Sequence, residues 1–283
     1  MFQSDKDHPG RAARTAGRVA GLERLGGLLW LTVSVPGWAG ASPGQFALLH
    51  PDLSGCFLPR AFSVAAQAGD EVSFLVAPIG VGTRELEGLE VDDLLWVTGP
   101  LGNGFNIRAL VAAPSPRIVI VAGGVGAAAF PLMLQCLAEP QIGSGTDVLV
   151  LLGFRTEGQV QGARPVTEAA SRLAAAGGAC RVEIATEDGS EGPARLVTDL
   201  LVAEARPGDR VVVCGPAAMS KAVWQVCREV PETAVWFSRE TTMACGVGSC
   251  HGCAITLADG SIARVCHDGP VFSGSAIYGE MER

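Results

Sequence analysis

The sequence predicts an antiparallel β-barrel domain, then an α/β domain built on a parallel sheet, and finally a small cysteine-rich arm. Three observations predict this order. Short β-rich segments lie close together at the start, continuous apolar runs alternate with helical stretches after Pro114, and four of the nine cysteines crowd together between positions 245 and 266. With 283 residues, 48% of them hydrophobic, the chain can build two packed cores.

The barrel domain is expected over residues 17–112, after a flexible tail at 1–16. Its β-rich segments are separated by turns that contain Gly, Pro and Asp, and one helix is predicted at 83–89. The predicted strands are 28–35, 45–49, 60–65, 71–77 and 94–98. Close spacing of this kind is typical of a small antiparallel barrel or sandwich.

The α/β domain is expected over residues 113–238, with its boundary near Pro114. Its strands read as continuous apolar runs, which indicates strands that are buried on both faces of a parallel sheet. The predicted strands are 118–122, 147–152, 181–186, 210–214 and a final strand at 234–237. The predicted helices are 126–138, 166–176, 194–204 and 216–228.

Charge and hydropathy exclude several kinds of function. Lys and Arg number 21 against 29 Asp and Glu, and the net charge of −8 argues against a nucleic-acid partner. No apolar run approaches the roughly 20 residues that a membrane span needs. The first residues lack the apolar core of a signal peptide, and an odd number of cysteines argues against a disulfide framework. We therefore expect a cytoplasmic protein without a membrane span.

The clustered cysteines follow the spacing C-x4-C-x2-C-x12-C, which is that of plant-type [2Fe–2S] ferredoxins. Gly and Ser fill the gaps, so the loop can wrap closely around two irons. A zinc site is the alternative, although zinc sites usually pair two separate hooks. We expect a cluster module at 239–283, with His251 and His267 as bystanders. The predicted ligands are Cys245, Cys250, Cys253 and Cys266.

Two predicted strands of the α/β domain end in small residues. The strand at 118–122 runs into a glycine-rich turn, and the strand at 210–214 ends in a second one. Such strand ends bind a pyrophosphate or leave room for a flat ring, although the first departs from the G-x-G-x-x-G pattern and a turn without a ligand is the alternative. The residues concerned are Gly123, Gly124, Gly126, Cys214, Gly215 and Pro216.

Two motifs stand out in the barrel. Arg60-Ala61-Phe62-Ser63 offers a guanidinium that can fork onto a phosphate and a hydroxyl that can reach a ring nitrogen, while Gly82-Thr83 precedes the predicted helix. Without further context, Phe62 reads as a core aromatic residue and Arg60 as a solvated charge.

Taken in order, these motifs resemble those of one family. Together with Gly99–Phe105, Glu187–Ser190 and Met243–Cys253, they resemble the electron-transfer subunits of the class 1B dihydroorotate dehydrogenases, within the ferredoxin reductase superfamily. The resemblance extends over residues 17–272. It departs from the family at Ala61 and Phe62, where proline and an aliphatic residue or tyrosine are usual.

The resemblance implies an FAD-binding barrel, a nicotinamide nucleotide on the α/β domain, favoured as NAD, and a [2Fe–2S] arm. The arm would face a separate FMN-containing dihydroorotate dehydrogenase subunit in a heterotetramer of two plus two, within pyrimidine biosynthesis. Arg155 leaves NAD and NADP both open. The residues that the resemblance places at FAD are Arg60, Ala61, Phe62, Ser63, Leu75, Val76, Ala77, Gly82 and Thr83.

Electrons would pass from dihydroorotate through FMN, the cluster and FAD to NAD, and we expect no acid–base catalytic residue in this chain. A flavin is needed between a two-electron hydride carrier and a one-electron cluster. The alternatives are a reductase subunit of another NAD(P)H-linked complex, of the ferredoxin:NADP reductase or sulfhydrogenase type, a stand-alone oxygenase reductase, and a non-catalytic iron–sulfur or zinc scaffold.

Overall fold

A computed structural model of the chain describes residues 13–112 and 117–280. Residues 1–12 of the predicted tail and the predicted boundary at Pro114 lie outside these ranges. The last three residues of the predicted tail belong to a strand, because β-structure begins at Arg14. No helix in the described ranges is long and apolar enough to cross a membrane.

The first domain is a seven-stranded antiparallel sheet with the order β4-β3-β7-β1-β2-β6-β5. Its ends approach each other, because Ala65 beyond β4 donates its N–H to the carbonyl of Ser73 in β6 at 2.9 Å. Two short helices, α1 (Val81–Glu87) and α2 (Ile107–Val111), complete the domain. The strands are β1 (Arg14–Leu25), β2 (Leu28–Ser34), β3 (Phe46–Pro51), β4 (Arg60–Ser63), β5 (Ala66–Ala68), β6 (Glu71–Val76) and β7 (Leu94–Leu101).

The core of the barrel is built from strands in which buried and less buried side chains alternate. In β2, Leu29, Leu31 and Val33 point inward while the residues between them are half-buried. The longest strand, β1, was not predicted, because it carries glycine and charged residues and does not alternate cleanly. It forms through pairing with β2 on one side and β7 on the other.

The second domain is a six-stranded sheet with the order β10-β9-β8-β11-β12-β15. Its strands are β8 (Arg117–Gly123), β9 (Asp147–Phe154), β10 (Ala179–Thr186), β11 (Arg210–Cys214), β12 (Ala234–Ser238) and, from the arm, β15 (Val271–Ser273). The first five are parallel, as predicted, and β15 is antiparallel. The predicted final strand is therefore not the edge of the sheet, because the arm returns and adds one more.

The helices cover both faces of this sheet. They are α3 (Pro131–Leu137), α4 (Pro140–Gly143), α5 (Glu157–Val160), α6 (Arg164–Ala175), α7 (Val197–Glu204) and α8 (Ala217–Arg228). The single helix predicted at 126–138 is instead a 3-10 segment, Gly124–Ala129, followed by α3. The break falls before Pro131, which lacks the N–H that a continuous helix would need there and is well suited to the first turn of a new helix.

The arm contains β13 (Ala254–Thr256), β14 (Ile262–Arg264), β15 and α9 (Gly274–Tyr278). It packs on the barrel through an apolar cluster in which Phe46, Leu48 and Leu101 meet Val265 and Phe272. The arm thus contacts the barrel and, through β15, also extends the α/β sheet.

Candidate cofactor sites where the barrel, the sheet and the arm meet

The four clustered cysteines lie as two pairs of thiols. The Cys253 and Cys266 sulfurs are 3.2 Å apart, and the Cys250 N–H donates to the Cys245 sulfur at 3.4 Å. Among the residues in the described ranges, no three His, Cys, Asp or Glu side chains converge as ligands of a single metal ion. Two thiol pairs fit a two-iron cluster, in which each iron takes two protein sulfurs, better than one tetrahedral zinc ion.

Backbone amides of the cysteine loop point at these sulfurs. Gly248 donates its N–H to the Cys266 sulfur at 3.1 Å. Burial raises the pKa of the Cys245 thiol, but N–H groups of Cys250, Val247 and Ser249 outweigh it and lower this pKa to about 6. Such donors stabilise thiolate, the form that binds iron.

The two thiol pairs differ in exposure. Cys250 is exposed and Cys245 is half-buried, whereas Cys253 and Cys266 are buried. Burial, followed by the hydrogen bond with Cys253, raises the pKa of the Cys266 thiol to about 12. The exposed pair therefore marks the side of the loop from which another molecule can approach.

The flavin motif lies on β4, which pairs with β3. The Arg60 guanidinium lies against the backbone of Gly82 at the start of α1, since a Cβ on Gly82 would be 2.6 Å from both Cζ and Nε. Arg60 also donates to the carbonyl of Leu58 at 2.6 Å. A guanidinium and the first amides of a helix thus lie together, and this donor set fits a diphosphate.

The other predicted flavin residues lie around this cradle. Ala61, Phe62 and Ser63 are half-buried on β4. Phe62 packs against the barrel core, so its aromatic ring has a packing role in this structure. On β6, the side chains of Leu75 and Val76 are buried, which leaves their backbone as the part that can meet a ligand.

Thr83 has a local role that the sequence reasoning did not predict. Its hydroxyl accepts from the Gly80 N–H at 2.9 Å and donates to the Gly80 carbonyl at 3.1 Å. The threonine therefore holds the first turn of α1 in place, and its hydroxyl is already engaged.

The glycines at the strand ends bring β8 and β11 close together. A Cβ on Gly126 would be 2.7 Å from the Cys214 carbonyl carbon, and a Cβ on Gly123 would be 2.7 Å from the Met219 sulfur. Gly124 differs, because its Cβ would meet nothing within 4 Å and its φ is +54°. Of these three glycines, Gly124 alone borders open space and the other two serve packing.

This pair of strand ends is the switch point of the sheet. From β8 the chain adds β9 and β10 on one side and then β11 and β12 on the other. Ligands of open α/β sheets bind in the crevice outside the carboxyl ends of such strands. Gly124 and the Cys214-Gly215-Pro216 turn both lie at this crevice.

Glu240 is a site residue that the sequence reasoning missed. It follows β12, and its Oε1 lies 3.8 Å from the buried Cys214 sulfur. Burial raises the pKa of the Glu240 carboxyl, although the residue as a whole is exposed. Burial, and then the charge of Glu240, raises the pKa of Cys214 well above that of a free thiol. A protonatable group thus stands at the mouth of the crevice.

The three sites are joined through a few apolar contacts. Leu48 of β3 is paired with Ala61 of the flavin motif, and a Cβ on Gly246 of the cysteine loop would be 2.7 Å from a Leu48 methyl carbon. On the other side, Ala128 beyond β8 packs with Leu75 of β6. The strands β3, β4 and β6, which carry or flank the predicted flavin residues and are called the flavin strands, therefore lie between the cysteine loop and the crevice of the α/β sheet.

Residues 240–278 match a family model described as the iron–sulfur cluster binding domain of dihydroorotate dehydrogenase B. Much of the chain is similar to curated dihydroorotate dehydrogenase B (NAD(+)) electron transfer subunits. The subunit of Listeria monocytogenes is 34% identical over 84% of this chain and 88% of its own length. That of Clostridium acetobutylicum is 33% identical over 87% of this chain and 89% of its own.

Solved structures share the fold. The NADH-dependent reduced ferredoxin–NADP oxidoreductase structure has a TM-score of 0.76 and 24% identity, and the match covers 94% of this chain and 91% of that one. A ferredoxin NADP+ reductase from Neisseria gonorrhoeae with bound FAD and NADP has a TM-score of 0.63 and 19% identity, with 78% of this chain and 92% of that one covered.

Proposed function

Because this chain belongs to the family of dihydroorotate dehydrogenase B electron-transfer subunits, we propose that it passes electrons between NAD and a partner dihydroorotate dehydrogenase subunit. The observation that carries the proposal is the contact of the cysteine loop with the flavin strands, through Gly246, Leu48 and Ala61. This contact joins a one-electron site to a two-electron site within one chain.

FAD, a [2Fe–2S] cluster and NAD are the redox groups of this function. When bound, the flavin exchanges a hydride with NAD and single electrons with the cluster. Arg60 and the α1 amides at Gly82 would hold the FAD diphosphate, and backbone atoms of Leu75, Val76 and Ala77 would contact the flavin. The cluster thiols bind iron, and the loop amides donate to their sulfurs.

The crevice at Gly124 and Cys214 receives the nicotinamide nucleotide. Burial of Cys214 keeps its thiol protonated, so it fills space beside the ring without charge. Because burial raises the pKa of Glu240, its carboxyl keeps a proton at pH values where an ordinary glutamate is ionised. The chain supplies position and charge at this site, and no acid or base for pyrimidine chemistry.

The partner binds at the exposed side of the cysteine loop, near Cys250, because electron transfer needs a short path. We further propose a heterotetramer of two plus two, in which the partner carries FMN, acting in pyrimidine biosynthesis in the cytoplasm. The nine cysteines, none of which is in a disulfide, support a reducing compartment.

The proposal is tested by anaerobic stopped-flow absorbance of the purified protein mixed with NADH or with NADPH. We expect NADH to bleach the flavin band and then the cluster band. Cys250→Ser should remove the cluster and leave the flavin reduction intact, whereas Cys56→Ser, a half-buried cysteine outside the loop, should leave both.

Three outcomes would contradict the proposal. Cluster absorbance retained in Cys250→Ser would refute the ligand assignment. Reduction by NADPH alone, or no oxidation of dihydroorotate when the FMN subunit is added, would favour a reductase subunit of another complex. A colourless, folded protein would indicate the scaffold alternative.

A further inference from the structure

The outer side of the cysteine loop is held by three polar side chains that the proposed electron path does not use. Arg264 ends β14, two residues before Cys266, and Asp268 follows two residues after it. The backbone N–H of Arg264 donates to Asp268 Oδ2 at 2.7 Å, and the side-chain Nε of Arg264 donates to the same oxygen at 3.3 Å. Asp268 thereby fixes the direction of the guanidinium.

The free end of that guanidinium reaches the cysteine loop. Nη1 of Arg264 donates to the carbonyl oxygen of Gly248 at 3.1 Å. The His267 ring lies against the same residue, since a Cβ on Gly248 would be 3.0–3.1 Å from three His267 carbons. Gly248 has φ +80°, a conformation that glycine adopts without strain.

Gly248 is also in contact with the ligands. Its own N–H donates to the Cys266 sulfur at 3.1 Å. Its carbonyl belongs to the next peptide unit, which it shares with the N–H of Ser249. In a planar trans peptide these two groups point in opposite directions. The hydrogen bond from Arg264 to the Gly248 carbonyl therefore fixes this peptide plane, with the Ser249 N–H on the side away from the guanidinium.

We propose that Arg264 is a positioning residue for the cluster: by holding the Gly248 carbonyl it keeps the amides at Gly248 turned toward the cysteine sulfurs, with the Gly248 N–H on Cys266, and so raises the reduction potential of the cluster. N–H donors stabilise the extra negative charge of the reduced state and shift the potential upward. The inference rests on the proposed function, because it requires a [2Fe–2S] cluster on this loop.

The test is the midpoint potential of the cluster, measured by anaerobic redox titration of the full protein with the electron paramagnetic resonance signal as readout. Three variants separate geometry from charge. Arg264→Gln removes both the forked guanidinium donor and its charge. Arg264→Lys keeps the positive charge without the forked donor, and Asp268→Asn removes the carboxylate that fixes the guanidinium. Arg108→Gln, an exposed arginine on α2, is the control.

We expect the equilibrium constant for cluster reduction to fall about tenfold in Arg264→Gln, which is 59 mV for a one-electron couple. Arg264→Lys should lower it as well, and Arg108→Gln should not. Asp268→Asn is the sharpest variant, because charge alone predicts a higher potential after loss of a carboxylate, whereas loss of positioning predicts a lower one.

A wild-type potential in Arg264→Lys, or a raised potential in Asp268→Asn, would overturn the positioning role. If Arg264→Gln loses iron, the comparison is made on the other two variants. Iron and sulfide contents of the unmodified protein test the proposed function separately: fewer than two irons per chain there would refute the cluster itself, whereas unchanged potentials in all variants would refute only the role of Arg264.

Discussion

Gly82→Ala should weaken FAD binding without unfolding the barrel. A Cβ at this position would be 2.6 Å from both Cζ and Nε of Arg60, whereas non-bonded carbon contacts lie near 3.5–4.0 Å. The guanidinium must therefore move by about 1 Å. It is the far end of a flexible side chain, so the move costs the fold little, and alanine suits the first turn of α1.

The displaced guanidinium no longer meets the diphosphate in the same geometry. Hydrogen bonds that involve a charged group contribute about 1.5–3 kcal/mol, and their loss corresponds to a rise of roughly 10- to 150-fold in the Kd for FAD. Gly80→Ala is the matched control, because a Cβ there would meet its nearest neighbour, the Thr83 hydroxyl, at 3.9 Å.

The assay is a titration of the FAD-free protein with FAD, followed by quenching of flavin fluorescence, with thermal unfolding measured alongside. The double variant Arg60→Ala/Gly82→Ala tests the cause: if Gly82→Ala acts through Arg60, the double variant binds FAD as Arg60→Ala alone does. An unchanged Kd in folded Gly82→Ala would refute this reasoning, and so would additive losses in the double variant.

Three further predictions concern stability and the crevice. Arg117→Met should lower the free energy of unfolding in urea by about 3–5 kcal/mol, because it leaves the buried Asp209 carboxylate without the guanidinium that lies 3.2 Å from it; Arg117→Met/Asp209→Leu should regain most of the loss. Gly26→Ala should lower Tm, since φ is +62° and a Cβ would overlap the Gly158 carbonyl across the domain contact, while Gly27→Ala, with nothing within 4 Å, should not. Burial raises the pKa of Glu240, so the carboxyl stays protonated at pH values where a free glutamate is ionised. The rate of NADH oxidation should therefore change with pH where this carboxyl ionises, above pH 4.5, and Glu240→Gln should abolish that change.

Local sequence patterns predicted much of the fold. The spacing of Cys245, Cys250, Cys253 and Cys266 predicted one cysteine loop, and the structure places these residues as two pairs, because three of the four lie within one tight arc of chain. Apolar runs predicted the five parallel strands of the α/β domain, since a strand that is buried on both faces must be apolar throughout.

Other features depend on residues that are far apart in the chain. Strand β1 forms only because β2 and β7 satisfy its hydrogen bonds. Its own sequence has no clean alternation of apolar and polar residues that would indicate a strand. The arm was predicted as a separate module, yet its strand β15 pairs with β12. This pairing depends on the edge that β12 offers in the folded α/β sheet.

The sites show the same division. The spacing of residues along the chain was enough to predict which cysteines share one loop and which strand ends carry glycine, because both are properties of short continuous segments. Packing of the folded chain brings Glu240 to Cys214, Arg60 to Gly82 and Arg264 to Gly248. Each of these contacts joins residues from different segments of the chain, and their meeting depends on how the sheets and the arm pack.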